Sequence, residues 1–117
     1  MKIRKKLDPS CCAPASLQEE NDLRPVEGPG ADEDLAVFAK AMGHPVRVRI
    51  LRMLSRREAR VCSEIVNELP LAQSTVSEHL RILKEAGLVR SSCSGTKIGY
   101  CIEPSALRRM KALAASL

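Results

Sequence analysis

Residues 71–89 read LAQSTVSEHLRILKEAGLV, and this stretch decides the fold. Val76, Leu80 and Leu83 fall at i, i+4 and i+7, the single apolar stripe of an amphipathic helix, and Gly87 supplies its C-terminal stop. Turned away from the stripe are Ser74, Ser77, Glu78 and Arg81. Just upstream, VCSEIVNEL at 61–69 predicts a short helix ended by Pro70, and PLAQ makes the connection. Two helices across a short turn, the second with small polar residues outward, match a helix-turn-helix whose second helix enters a DNA major groove. Hydroxyls allow close approach, Arg81 suits guanine or phosphate, and Glu78 suits a cytosine amine. With the first-turn residues, the reading set is Gln73, Ser74, Thr75, Ser77, Glu78 and Arg81.

Working outward, DEDLAVFAKAMG (32–43) predicts a helix with an acidic first turn, Gly43 at its end, and Leu35, Phe38, Ala39 and Met42 on one face. His44 is pushed out of helical geometry by Pro45, which opens PVRVRILRMLSRR with Val46, Ile50, Met53 and Leu54 inward. After the reading helix, LVRSSC, the turn SGTK and IGYCI predict a β-hairpin, and Pro104 and Ser105 open a last helix, SALRRMKALAASL. The expected fold is mainly α with a small hairpin, in the order helix, helix, helix, helix, hairpin, helix. Residues 1–31 hold four of the seven prolines and no periodicity, so they read as a flexible arm, leaving 32–117 as the folded domain.

Charge follows the same division. Residues 1–6 carry +4, residues 7–34 carry −7, and the chain from Lys40 onward carries +8. The folded part is therefore the basic part. With one Phe, one Tyr and no Trp, it suits phosphate contact on duplex DNA better than base stacking on single strands. A domain this small buries a modest core and gains from a partner subunit. No stretch has signal-peptide or membrane-span length, which implies a cytoplasmic protein without membrane contact. No Ser/His/Asp set, phosphate-cradling glycine loop or paired carboxylate is evident, so the sequence points away from an enzyme and from an organic cofactor.

AKAMGHPVRVRILRML (39–54) and LAQSTVSEHLRILKEAGLV (71–89), followed by the basic hairpin VRSSCSGTKIGYCI (89–102), resemble the ArsR/SmtB family of metal-responsive repressors, from about Leu35 to Leu113. The resemblance implies a winged helix-turn-helix that dimerises through its first and last helices and binds operator double-stranded DNA as a homodimer. It also implies that Arg90 and Lys97 on the wing touch the DNA backbone. The chain departs from the family pattern at Glu78, where members commonly carry His, and at Ala72, where they carry Ser.

Five cysteines in a reducing compartment favour metal or redox chemistry over a disulfide framework. Cys11 and Cys12 are vicinal on the arm, and Cys62 opens the third helix. Adjacent thiols fit an ideal tetrahedral zinc site poorly, whereas arsenite and antimonite take three thiolates in a pyramid. Cys11, Cys12 and Cys62 are therefore the expected inducer ligands, and release from DNA on their capture of arsenite or antimonite is the expected signal. Cadmium or lead, with Cys93 or Asp8 as a fourth ligand, or an oxidant, are the alternatives. In the family the inducer cysteines commonly form a Cys-Val-Cys pattern at this helix. Arg60 replaces the first here, and the resemblance implies that the arm of one protomer reaches Cys62 of its partner. Cys101 is expected to pack. Cys93 is open among packing, a redox pair and a second thiol site. The final helix lacks the family's zinc-binding Asp-x-His pattern, and His44 and His79 read as a cap and a packed ring.

Overall fold

A computed structural model describes residues 23–56, 60–94 and 97–117. In chain order the elements are α1 (Pro29–Ala41), α2 (Pro45–Ser55), β1 (Arg60–Val61), α3 (Cys62–Asn67), α4 (Gln73–Glu85), β2 (Val89–Ser94), β3 (Lys97–Ile102) and α5 (Pro104–Ala115). Three of the helices open on proline, which lacks the N–H that a first turn leaves unpaired and is already fixed near helical φ. His44 stands before Pro45 in extended conformation, and its Nδ1 accepts from the Val46 N–H at 3.1 Å, the capping role read from the sequence.

The stop at the end of α4 is equally local. Gly87 sits at φ +85°, its N–H donates to the Lys84 carbonyl at 3.0 Å, and the Leu88 N–H donates to the Leu83 carbonyl at 3.1 Å. This double closure is a Schellman motif, and Leu83 and Leu88, its apolar pair, are both fully buried. Leu88 then leads into β2, and its carbonyl accepts from the Glu103 N–H at 2.9 Å, so one residue ties α4 to both ends of the hairpin.

The sheet has three strands in the order β1-β3-β2, all antiparallel, where the sequence reading had two. β1 pairs Arg60 with Tyr100 and Val61 with Gly99. Two residues are too few to show an alternation. The hairpin register runs from Val89↔Ile102 to Ser94↔Lys97 and pairs Cys93 with Ile98 and Cys101 with Arg90. Cys93 and Cys101 are thus three residues out of register rather than opposite one another.

The core is aliphatic, as the composition required. Ile50, Leu54, Ile65, Val76, Leu80, Leu83, Leu88 and Leu113 are fully buried, with Phe38 its one buried aromatic among the described residues. Each such side chain contributes roughly 1.5–3 kcal/mol by leaving water. On α1 the inward face is Ala31, Phe38 and Ala41, with Leu35 and Met42 half-buried; Ala39, expected inward, is exposed.

The boundary at residue 31 shifts. α1 begins at Pro29, and the chain before it is fastened to α5: Arg109 donates to the Arg24 carbonyl at 3.2 Å and Ser116 Oγ to the Val26 carbonyl at 3.2 Å. Arg109 is 5 % exposed and also donates to Asp34 on α1 at 3.4 Å. A proline cluster reads as irregular chain, yet Pro29 stands at a first helical position and opens α1. Cys11 and Cys12 lie outside the described residues.

Candidate nucleic-acid interface and cysteine positions

α4 is held by Val76, Leu80 and Leu83, all fully buried, and it packs against both α2 and α3. That seating fixes its opposite face outward. Gln73, Ser74, Thr75 and Glu78 are exposed and Ser77 is half-buried. The N-cap residue Ala72 offers no side-chain bond to the first turn, so the α4 N-terminus presents backbone donors beside Gln73, Ser74 and Thr75.

Arg81 lies on this face at 53 % exposure, but it is engaged. Its Nε and one terminal nitrogen donate to the two Glu78 carboxylate oxygens, at 3.2 and 2.9 Å to Oε2, and its other terminal nitrogen donates to Glu85 Oε1 at 2.6 Å. The hydrogen bond from Arg81 holds the Glu78 carboxyl below the usual carboxylate range, and the two carboxylates push the Arg81 guanidinium further toward its charged form. Glu85 was absent from the sequence reading. Its signal was the i, i+4 spacing from Arg81.

On the wing, Arg90 does not face outward as a free cation. It is about a quarter exposed, and its Nε lies 3.0 Å from Glu103 Oε2, an ion pair without hydrogen-bond alignment. The pair engages Nε, so a contact from Arg90 to the DNA backbone falls to its terminal nitrogens. Lys97 starts β3 opposite Ser94, beside the hairpin tip, and its side chain is outside what is described.

Behind the reading face the rings of His44 and His79 lie 4.5 Å apart and tilted, joining the α2 cap to α4. His79 Nδ1 is buried without a partner. Burial first, then the nearby His44 and Arg47, hold the His79 pKa below its ordinary 6.5, with Glu78 opposing. A depressed histidine pKa means that the unfolded chain takes the proton first. The stability from the neutral ring is present above about pH 6.5 and is lost as pH falls through the lower folded value. Urea midpoints from pH 7.5 to 5 are expected to drop more steeply for the parent chain than for His79→Gln. Equal slopes would remove His79 as the cause.

α3 begins at Cys62, immediately after β1, and packs against α4. The Cys62 side chain is outside what is described. Cys101 is 4 % exposed, as packing requires, and it is disulfide-bonded, where the sequence reading favoured reduced thiols. Among the described residues no group of three or more His, Cys, Asp or Glu is placed to hold a metal. A cleft of about 360 Å³ between α1, α2 and α4 is lined by Val37, Lys40, Ala41, Arg47, Ile82, Glu85 and Ala86. No helix among the described residues is long and apolar enough to cross a membrane.

Residues 44–91 match the family described as "Bacterial regulatory protein, arsR family". An uncharacterised HTH-type transcriptional regulator of Methanocaldococcus jannaschii is 40 % identical over 70 residues, covering 60 % of this chain and 79 % of its own. The transcriptional repressor PagR of Bacillus anthracis is 39 % identical, over 60 % of this chain and 70 % of its own. Among solved structures, a possible transcriptional regulator for arsenical resistance superposes with a TM-score of 0.62 at 30 % identity, covering 66 % of this chain and 79 % of that one. The homodimeric winged helix-turn-helix DNA-binding domain of a possible ArsR-family regulator from Mycobacterium bovis gives 0.63 at 25 % identity, over 74 % and 81 %.

Proposed function

The chain belongs to the arsR family of bacterial regulatory proteins, DNA-binding transcriptional repressors rather than enzymes, and on that premise we propose that it holds operator DNA as a cytoplasmic homodimer and releases it when Cys11, Cys12 and Cys62 capture arsenite or antimonite. The observation that carries the DNA reading is the seating of α4, with its apolar stripe fully buried and its polar face outward. The solved homodimeric relative supports pairing of two such chains. Two reading helices then meet half-sites one turn apart, ~34–36 Å.

The inducer assignment is supported by the donor set and by where its fixed member begins. Three thiolates suit a pyramidal soft ion, and α3, which opens on Cys62, packs on α4. An ion drawing the arm onto Cys62 would shift α3, and with it the spacing of the reading helices. A second reading, release by an oxidant, is favoured by the disulfide at Cys101.

The test starts from a duplex enriched by the purified protein out of a random library. Its complex is titrated separately with arsenite, antimonite, cadmium and hydrogen peroxide. Binding is expected to be dimeric, with affinity falling steeply with salt, and arsenite and antimonite are expected to dissociate the complex. A monomer with a flat salt dependence would contradict the DNA reading. Release by peroxide alone would replace the three-thiol reading with the second one.

A further inference from the structure

Only six acids follow Lys40 in the sequence, and two of them, Glu78 and Glu85, lie about one helical turn on either side of Arg81. They occupy its Nε and both terminal nitrogens. Glu78, Arg81, Lys84 and Glu85 together leave the formal charge of this part of α4 at zero, inside a domain that is otherwise basic. We infer that Glu78 and Glu85 are specificity-determining residues, which hold Arg81 so that the reading helix gains little from phosphate alone and binds well only where the bases satisfy both charges.

The inference rests on the DNA-reading role of α4 and concerns how that role discriminates. Every duplex offers phosphates at every step, so a free arginine on the reading face strengthens binding everywhere. An arginine already bonded to two carboxylates offers no net positive charge, and the carboxylates themselves are repelled by the backbone. That penalty is offset where the major groove presents a cytosine N4 or adenine N6 donor to Glu78 and a guanine O6/N7 edge to Arg81. Discrimination then arises from disfavouring the wrong sequences as well as from contacts to the right one. Glu78 touches the bases in this scheme; Glu85 acts through Arg81 and is a positioning residue. General attraction to the duplex is left to cations elsewhere, among which Arg52 and Arg56 are exposed at the end of α2.

The probes are the duplex selected by the parent chain and a scrambled duplex of equal length, titrated over a range of salt. Glu78→Gln/Glu85→Gln is expected to bind the scrambled duplex on the order of tenfold more tightly, with a salt slope steeper by ~0.9 for the one cation freed. It should bind the selected duplex little better, so the ratio of the two affinities falls. Adding Arg81→Ala should abolish the gain on the scrambled duplex, and Glu85→Asp should restore part of the lost discrimination. All three residues are at least half exposed, so circular dichroism should show every variant folded. An unchanged ratio and slope would overturn the inference while leaving the DNA reading intact. A gain that persists without Arg81 would also overturn it, by reducing the effect to deleted negative charge. If the parent itself does not prefer the selected duplex, the DNA-reading role fails and the inference falls with it.

Discussion

Cys62→Ser is expected to hold the selected operator as tightly as the parent chain and to keep holding it in arsenite that strips the parent off. The argument is one of separable surfaces. α3 begins at Cys62 on one side of α4, whereas Gln73, Ser74, Thr75 and Glu78 are exposed on the other, so removing one thiol leaves the reading face untouched. Loss of one of three thiolates removes the trigonal site. The parent's affinity should fall ~5- to 150-fold in arsenite, the usual range of coupling between two sites, and the operator should weaken arsenite binding by the same factor. Cys11→Ser and Cys12→Ser should behave alike, while Cys93→Ser and Cys101→Ser should still release. Arg24 is held by Arg109, and the twelve steps of chain from Cys12 to Arg24 reach at most ~40 Å, with the site either within one subunit or between two. Mixing Cys11→Ser/Cys12→Ser chains with Cys62→Ser chains separates these. Heterodimers regain one complete site only if the arm crosses to the partner. Failure to release by the Cys93/Cys101 double variant, with release retained by the Cys11/Cys12 one, would move the site to the hairpin.

The elements legible in the sequence were those whose cause is local. The α4 stripe, the prolines that open α2 and α5, the His44 cap and the Gly87 stop each depend on residues within a few positions, and the structure has all of them. Most of what was missed depends on distant partners. β1 exists because Arg60 and Val61 meet Tyr100 and Gly99, forty residues away in the chain, and its own two residues carry no periodicity. Arg109 counted as one more basic residue, although it lies four positions from the buried Leu113. That spacing put it on the inward face of α5, where it anchors the chain before α1. Arg81 and Glu78 both belong to the reading face by sequence; the i, i+3 and i, i+4 spacings make Glu78 and Glu85 available to Arg81, but which of them it engages depends on rotamers that the pattern does not fix. For Arg90 the family resemblance implies a contact to the DNA backbone; its pairing with Glu103 follows from the hairpin closing against the start of α5.

Leu80→Ala and Arg81→Ala, neighbours on one helix, should fail in opposite ways. Leu80 is fully buried in the core beneath α4, so its truncation leaves a cavity and costs about 2–5 kcal/mol. Against a total stability of ~5–15 kcal/mol for a typical domain, that is a large share. At ~4–8 °C per kcal/mol for a domain of this size, the melting temperature should fall by roughly 10 °C or more. Because the monomer fold is weakened, the loss should be partly recovered at high protein concentration if the folded state is dimeric. Arg81 has more than half its side chain in solvent, and exposed ion pairs contribute little to folding, so Arg81→Ala should melt with the parent. Its defect should appear only on the operator, as a ~5- to 150-fold loss of affinity with relaxed preference at the base it reads. The two effects are separable because the helix turns by about 100° between adjacent residues, placing one side chain in the core and the next in the groove. Equal losses of melting temperature in the two variants, or normal operator binding by Arg81→Ala, would contradict the assignment of α4 as a reading helix seated on its Val76, Leu80 and Leu83 face.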